Sequence, residues 1–180
     1  MKTEQQGLTL IELLVTLGVL SILMSVALPG FRDFTVRNNT IAQIRDLETD
    51  LRFARSEAAK VGAWTRVCVG NSSGCRPGWG TDWAQGWVVL VNGTSTVLRL
   101  HAPLETGGNL TAIDNVTSIT SVDFNRYGFA MPVVFRLCDG RGKARAVLLS
   151  RTGNAQLAVD TDSPANGLVD DMSGNDITCD

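Results

Sequence analysis

The sequence predicts an α+β chain: a long N-terminal helix, one half transmembrane and one half amphipathic, packed on an antiparallel β-sheet domain. Three observations carry this. Leu8–Leu28 is an apolar run of 21 residues with a single charged side chain, Glu12. From Phe31 the apolar residues become periodic as far as about Lys60. Beyond Gly62, short runs rich in Val, Leu, Trp and Phe alternate with glycine-bearing turns.

The chain has 180 residues, 16 Lys+Arg against 18 Asp+Glu and a formal charge of −2. That balance excludes a globally basic nucleic-acid binder but not a local basic patch. Low charge content and 18 glycines argue against a coiled coil or a highly charged disordered chain. The lone histidine, His101, argues against His-rich metal sites and most His-based triads.

As a helix at ~1.5 Å per residue, Leu8–Leu28 reaches ~30 Å, the thickness of a bilayer core. A secretory signal would have a shorter apolar region of ~7–15 residues ending in a small-x-small site. Ser25-Val26-Ala27 matches such a site, but the run is too long. Glu12 sits well inside it, where an acid costs roughly 2.5–3.5 kcal/mol on insertion scales.

Gly7-Leu8-Thr9-Leu10-Ile11-Glu12-Leu13-Leu14-Val15 resembles the class III signal of type IV pilins and pseudopilins. The resemblance implies that a prepilin peptidase cuts between Gly7 and Leu8 and N-methylates Leu8. It makes Glu12 the fifth-position acid that pairs with a neighbouring subunit's N-terminal amine during assembly. Pro29 matches the family's helix-kinking proline. Lys2 and Glu4 before the span, with Arg32 and Arg37 after it, give no firm orientation. The resemblance puts the N-terminus in the cytoplasm, a single pass through the inner membrane, and the rest in the periplasm. The expected organisation is a leader at 1–7, a span at 8–30, a pilin-like domain at 31–160 and an acidic tail at 161–180.

Phe34, Ile41, Ile44, Leu47, Leu51, Ala54 and Ala58 form the apolar stripe, and Gly62 is the expected stop. Arg52 to Ala58 resembles the ARSEA-type motif of the GspH/FimT/FimU branch, where a β-rich domain follows the helix. Arg55 and Glu57 read as a solvated helix face. Strands are expected at 64–69, 86–91, 96–100, 121–125, 133–137, 144–150 and 155–159, with turns at Asn92-Gly93, Tyr127-Gly128, Asp139-Gly140 and Gly153-Asn154. The last stretch holds six Asp from Asp160 to Asp180 with no basic residue and reads as a tail or loop.

Four cysteines allow three full pairings. No zinc spacing is present, so disulfides in an oxidising compartment are the better reading. Cys68 and Cys75 flank a short loop, and Cys179 can reach back to Cys138; Cys68–Cys75 with Cys138–Cys179 is the favoured set. A C-terminal Cys tying down the tail also resembles FimU-type minor pilins.

Arg136, Arg141, Lys143, Arg145 and Arg151 form a basic cluster in sequence. Arg141, Lys143, Arg145 and Arg151 are the candidate DNA contacts, since some FimT proteins bind DNA. The Gly-Arg-x-Arg motif of that branch is replaced here by Gly153-Asn154-Ala155-Gln156. Trp64, Trp79, Trp83 and Trp87 suit core packing or an interface better than base stacking. Asp160-x-Asp162 opens like an EF-hand loop, but Pro164 and Ala165 stand where a ligand and the turn glycine belong. Neither metal nor cofactor is expected, and no nucleophile–base–orienter set is visible.

The resemblance therefore implies a structural subunit, not an enzyme. Its partners would be other minor and major pilins or pseudopilins, in a priming or tip complex of a type IV pilus or a type II secretion pseudopilus. The alternative is a DNA-binding competence pseudopilin.

Overall fold

The computed structural model describes residues 9–94, 96–104, 108–114 and 116–179. Two compact units divide the chain, Met1–Arg37 and Asn38–Asp180. Helix α1 spans Leu10–Val61, contributing its first residues to one unit and its last to the other.

In the first unit, α1 carries a single charged side chain, Glu12, as far as Leu28. An 18-residue window has a mean hydropathy of 2.3, and none of it is buried. Its hydroxyls are satisfied locally: Thr16, Ser21 and Ser25 donate to the carbonyls of Leu13, Gly18 and Ile22 at 2.9, 2.8 and 2.7 Å. Such back-bonding lets a polar side chain enter lipid without an open donor.

In the second unit, Thr40, Ile44, Leu47, Leu51, Ala54 and Ala58 are buried. Their spacing of three, four or seven puts them on one helix face. The buried stripe begins later than expected, because Phe34 is 62% exposed and belongs to the first unit. Burying a Leu of this kind contributes about 1.5–3 kcal/mol.

The β elements are β1 (Thr65–Asn71), β2 (Gly74–Cys75), β3 (Trp87–Val91), β4 (Val97–His101), β5 (Asn109–Ile113), β6 (Ser121–Phe124), β7 (Val133–Cys138), β8 (Ala144–Leu149), β9 (Ala155–Leu157), β10 (Val169–Asp170) and β11 (Asp176–Ile177). Single 3₁₀ turns at Pro77–Trp79 and Trp83–Gln85 precede β3. β1 pairs with β3 on one side and β6 on the other, β4 extends β3, and β2 caps the end of β1. The second sheet runs β5-β7-β8-β9. Every pairing is antiparallel. Alternate residues of both sheets (Val67, Val69, Trp87, Val89, Phe135, Leu137, Val147 and Leu149) share one core with the helix stripe. This is the α+β, pilin-like fold the sequence predicts.

Two differences stand out. β5 falls in a stretch from which no strand was expected, because Asn-Leu-Thr-Ala-Ile carries little strand propensity. The acidic tail is not irregular: β10 and β11 form an antiparallel ribbon. Val169 and Ile177 pack with Ala146 and Leu148 on the face of β8 opposite the main core. The ribbon covers that otherwise open apolar face, and the Cys138–Cys179 bond ties its end.

Disulfides join Cys68 to Cys75 and Cys138 to Cys179. The first closes the β1–β2 hairpin. The second ties the end of the ribbon to the end of β7.

Candidate assembly segment and charged surface

The N-terminus of α1 is closed by a reciprocal pair. Glu12 N–H donates to Thr9 Oγ1 at 3.3 Å, while Glu12 Oε2 accepts from Thr9 N–H and Thr9 Oγ1–H at 3.3 Å. Thr9-Leu10-Ile11-Glu12 is thus a capping box, which satisfies helix donors that otherwise have no partner. The carboxylate lies at the positive end of the helix dipole, a favourable place for an anion. Gly7 and Leu8 lie outside the described residues. Pro29 falls inside α1, and its side chain also lies outside them.

The C-terminal part of α1 carries a polar network that sequence reasoning missed. Asp50, 5% exposed, accepts from Trp87 Nε1 at 2.9 Å and from Arg99 Nη1 at 2.7 Å. The Arg99 guanidinium lies 4.4 Å over the Phe53 ring. His101 stacks on Trp87 with ring centroids 3.8 Å apart, and its Nε2 is 3.6 Å from Asp46. Nearby in sequence, Thr65 Oγ1 donates to the Ala54 carbonyl at 2.7 Å. Helix and sheet are thereby joined by specific polar contacts as well as by apolar packing.

Arg55 is not on a solvated face. Its side chain is half-buried against Gly128, where an added Cβ would meet Arg55 Cγ at 3.1 Å. Gly128 and Gly153 both have positive φ, +80° and +72°. A Cβ on Gly153 would run into the Gly128 carbonyl oxygen. Only glycine meets both demands there. Arg52 Nε donates to the Ala155 carbonyl at 3.1 Å, and Glu57 pairs with Lys60 at 3.1 Å.

Arg136, Arg141, Lys143 and Arg145 lie at one end of the β7–β8 hairpin, and Arg151 lies beyond the other end of β8. Arg141 forms a two-nitrogen contact with Asp139 Oδ2 at 3.1 and 2.7 Å. Asp139 Oδ1 accepts the amides of Arg141 and Lys143, both at 2.9 Å. Burial opposes ionisation of Asp139, but the Arg141 guanidinium and the two amides outweigh it and hold the carboxyl below its usual range. Arg136 Nη1 donates to the Thr178 carbonyl at 2.9 Å. Arg145 lies on β8 opposite Leu137. Arg151 follows the other end of β8 from the 139–143 turn. The length of β8 therefore separates Arg151 from the other four.

The tryptophans divide as well. Trp83 and Trp87 are fully buried, Trp79 is partly buried, and Trp64 is 52% exposed. Trp83 meets Phe135 edge-on at 5.1 Å and donates to the Ile119 carbonyl at 2.8 Å. Trp83 and Trp87 are thus core residues.

Comparisons with known proteins agree with this architecture. The type IV minor pilin FimU of Pseudomonas aeruginosa is similar in structure, with a TM-score of 0.56 and 22% identity, over 72% of this chain and 95% of that one. The minor pseudopilin EpsH of the Vibrio cholerae type 2 secretion system gives a TM-score of 0.49 and 10% identity over 69% of this chain and 99% of that one. The type IV major pilin protein PilE1 of Neisseria gonorrhoeae is 49% identical over 37 residues, 21% of this chain and 22% of that protein. The chain thus spans about a fifth of the length of the curated relatives it matches. A profile of the prokaryotic N-terminal methylation motif matches residues 2–28. The profile of the type II transport protein GspH matches residues 43–153, more than half of the sequence. The chain belongs to the GspH family of pilin-like proteins.

Proposed function

We propose that this protein is a minor pilin or pseudopilin, a structural subunit that joins other minor subunits in the priming or tip complex of a type IV pilus or type II secretion pseudopilus. The observation that carries the reading is the order of parts in one chain. A methylation motif at 2–28, which contains the apolar run and lies at the unburied start of helix α1, precedes a GspH domain at 43–153.

In this reading, prepilin peptidase cuts between Gly7 and Leu8 and methylates the new amine. Residues 8–30 hold the precursor in the inner membrane and later pack against neighbouring subunits. Glu12 exchanges its capping contact with Thr9 for a neighbour's N-terminal amine. At an effective dielectric of ~20, a carboxylate ~4 Å from an amine gains ~4 kcal/mol before desolvation, enough to compete with a neutral cap. Two disulfides in the second unit suit a periplasmic location. DNA binding is the weaker reading: Arg141 is engaged by Asp139, Arg136 by Thr178, and Arg151 stands at the far end of β8.

Mass spectrometry of filaments sheared from cells tests the proposal. A peptide beginning at N-methylated Leu8 in that fraction supports a pilus subunit. The same peptide confined to membranes favours the secretion or uptake machinery. A chain that begins at Met1 or Leu28 sinks the reading.

A further inference from the structure

A cleft of about 390 Å³ opens between the C-terminal part of α1 and the two glycine turns. Arg52, Arg55, Tyr127 and Asn154 line it, and no Asp or Glu does. Arg55 is wedged beneath both turns. Its stem lies 3.1 and 3.3 Å from where a Cβ on Gly128 and on Gly153 would stand. That packing orders a long side chain in advance, so little rotamer entropy is left to lose when a ligand arrives. Among the described residues, the Arg55 guanidinium nevertheless has neither a hydrogen bond nor an ion pair. The Tyr127 hydroxyl and the Asn154 side-chain amide are likewise unengaged there. Arg126 is exposed, lies 4.9 Å over the Tyr127 ring and has no acidic partner. Arg52 at the rim differs, since Glu48 and the Ala155 carbonyl already hold it.

We propose that the Arg55 cleft binds the carboxylate of an aspartate or glutamate side chain presented by a partner protein. The planar guanidinium fork matches a carboxylate in geometry and charge. The Asn154 amide and Tyr127 hydroxyl are further donors for its remaining lone pairs. The turns shield Arg55 from water, so the pair is worth more than an exposed salt bridge. A nucleic-acid backbone fits less well. Strongly salt-dependent duplex binders make about 6–10 phosphate contacts, whereas Arg55 and Arg126 are the unpaired cations at the cleft. Asn154 and Gln156 add no charge to it, and Arg151 opens onto a separate groove that it shares with Asp123. A second copy of this chain is also the poorer partner, because the acids of its C-terminal segment are engaged. Asp160 accepts from the Gly167 amide, Asp162 and Asp176 from Asn166, and Asp171 from Asn175. The cleft lies in the second unit and Glu12 in the first, so either role can fail alone.

The test is photo-crosslinking of the full-length protein in its own cells, with p-benzoylphenylalanine at Tyr127 to keep the aromatic wall. The expected crosslink maps, by mass spectrometry, beside an Asp or Glu of another protein. Arg55→Gln lowers its yield at least about tenfold, as loss of a desolvated charge partner does. Arg126→Gln, at an exposed position, lowers it less. Arg55→Glu abolishes the crosslink, and replacing the partner's acid by Lys restores it, a rescue that an unfolded domain could not give. Absence of any crosslink overturns the proposal. So do crosslinks confined to nucleic acid, to a second copy of this chain or to acid-free peptides, and so does failure of the charge exchange.

Discussion

Asp50 on the helix and Trp87 on the first sheet are joined across the core by a 2.9 Å hydrogen bond. The acceptor is ionisable and the donor belongs to a fully buried side chain. Asp50→Ala strands the indole N–H and releases Arg99, at a cost of about 2–4 kcal/mol. Arg99→Ala keeps the Trp87 bond but leaves the buried Asp50 carboxylate without its charged partner, so it too costs about 2–4 kcal/mol. Urea unfolding followed by near-UV circular dichroism measures both; a loss under about 1 kcal/mol in either variant would contradict this account.

Gly153→Ala forces a side chain into positive φ and onto the Gly128 carbonyl. The conformational cost alone is about 1–2 kcal/mol, and the backbone contact adds to it. Gly174→Ala shares a positive φ but meets open space, so it loses only the conformational part. Thermal melts of the two variants should be separated, with Gly153→Ala the lower.

Asp139 supplies a pH-dependent contribution whose sign follows from its lowered native pKa. A depressed carboxyl stabilises fully above its unfolded pKa of about 3.9, and that stability is lost as pH falls through the native value. Between about pH 4 and pH 2, wild type should therefore lose more stability than Asp139→Asn. Parallel urea midpoints over that window would refute the assignment.

The two disulfides close loops of very different length, with sequence separations of 7 and 41. Chain entropy alone predicts losses of up to about 2 kcal/mol for Cys68→Ser/Cys75→Ser and about 4 kcal/mol for Cys138→Ser/Cys179→Ser. The second variant should also become open to proteolysis beyond Ala158, because its ribbon is held by few apolar contacts. A protected tail in that variant would assign the ribbon's order to packing alone.

Glu12→Val leaves the span apolar, so the protein should remain in the membrane fraction and disappear from sheared filaments. Thr9→Ala removes the cap while keeping the carboxylate. It should weaken the helix start but still allow incorporation. Filaments that contain the Val variant at the wild-type level would remove the assembly role of Glu12.

The elements legible in the sequence were those with a strong local signal. Leu8–Leu28, the stripe from Ile44 to Ala58, and strands such as Trp87–Val91 announce themselves by run length or period. β5 and the ribbon did not, because Asn109–Ile113 is weakly strand-forming and Val169 and Ile177 are lone apolar residues in a polar stretch. The contacts of Asp50 were hidden for another reason: Trp87 and Arg99 lie 37 and 49 positions away. Of the five basic residues from Arg136 to Arg151, four stay at one end of the β7–β8 hairpin, and only Arg151 lies beyond the far end of β8. Arg55 read as solvated because nothing local reveals that two glycine turns come to rest on it.

The spacing of the cysteines also sets a timetable. Under the proposed topology, in which the domain after the span crosses the membrane in order of synthesis, Cys68 and Cys75 emerge almost together, long before Cys138. If the short hairpin oxidises first, two of the four thiols leave the competition. Cys138 then has one remaining partner, Cys179, which emerges 41 residues later. Of the three pairings open to four cysteines, oxidation of the short hairpin first leaves one.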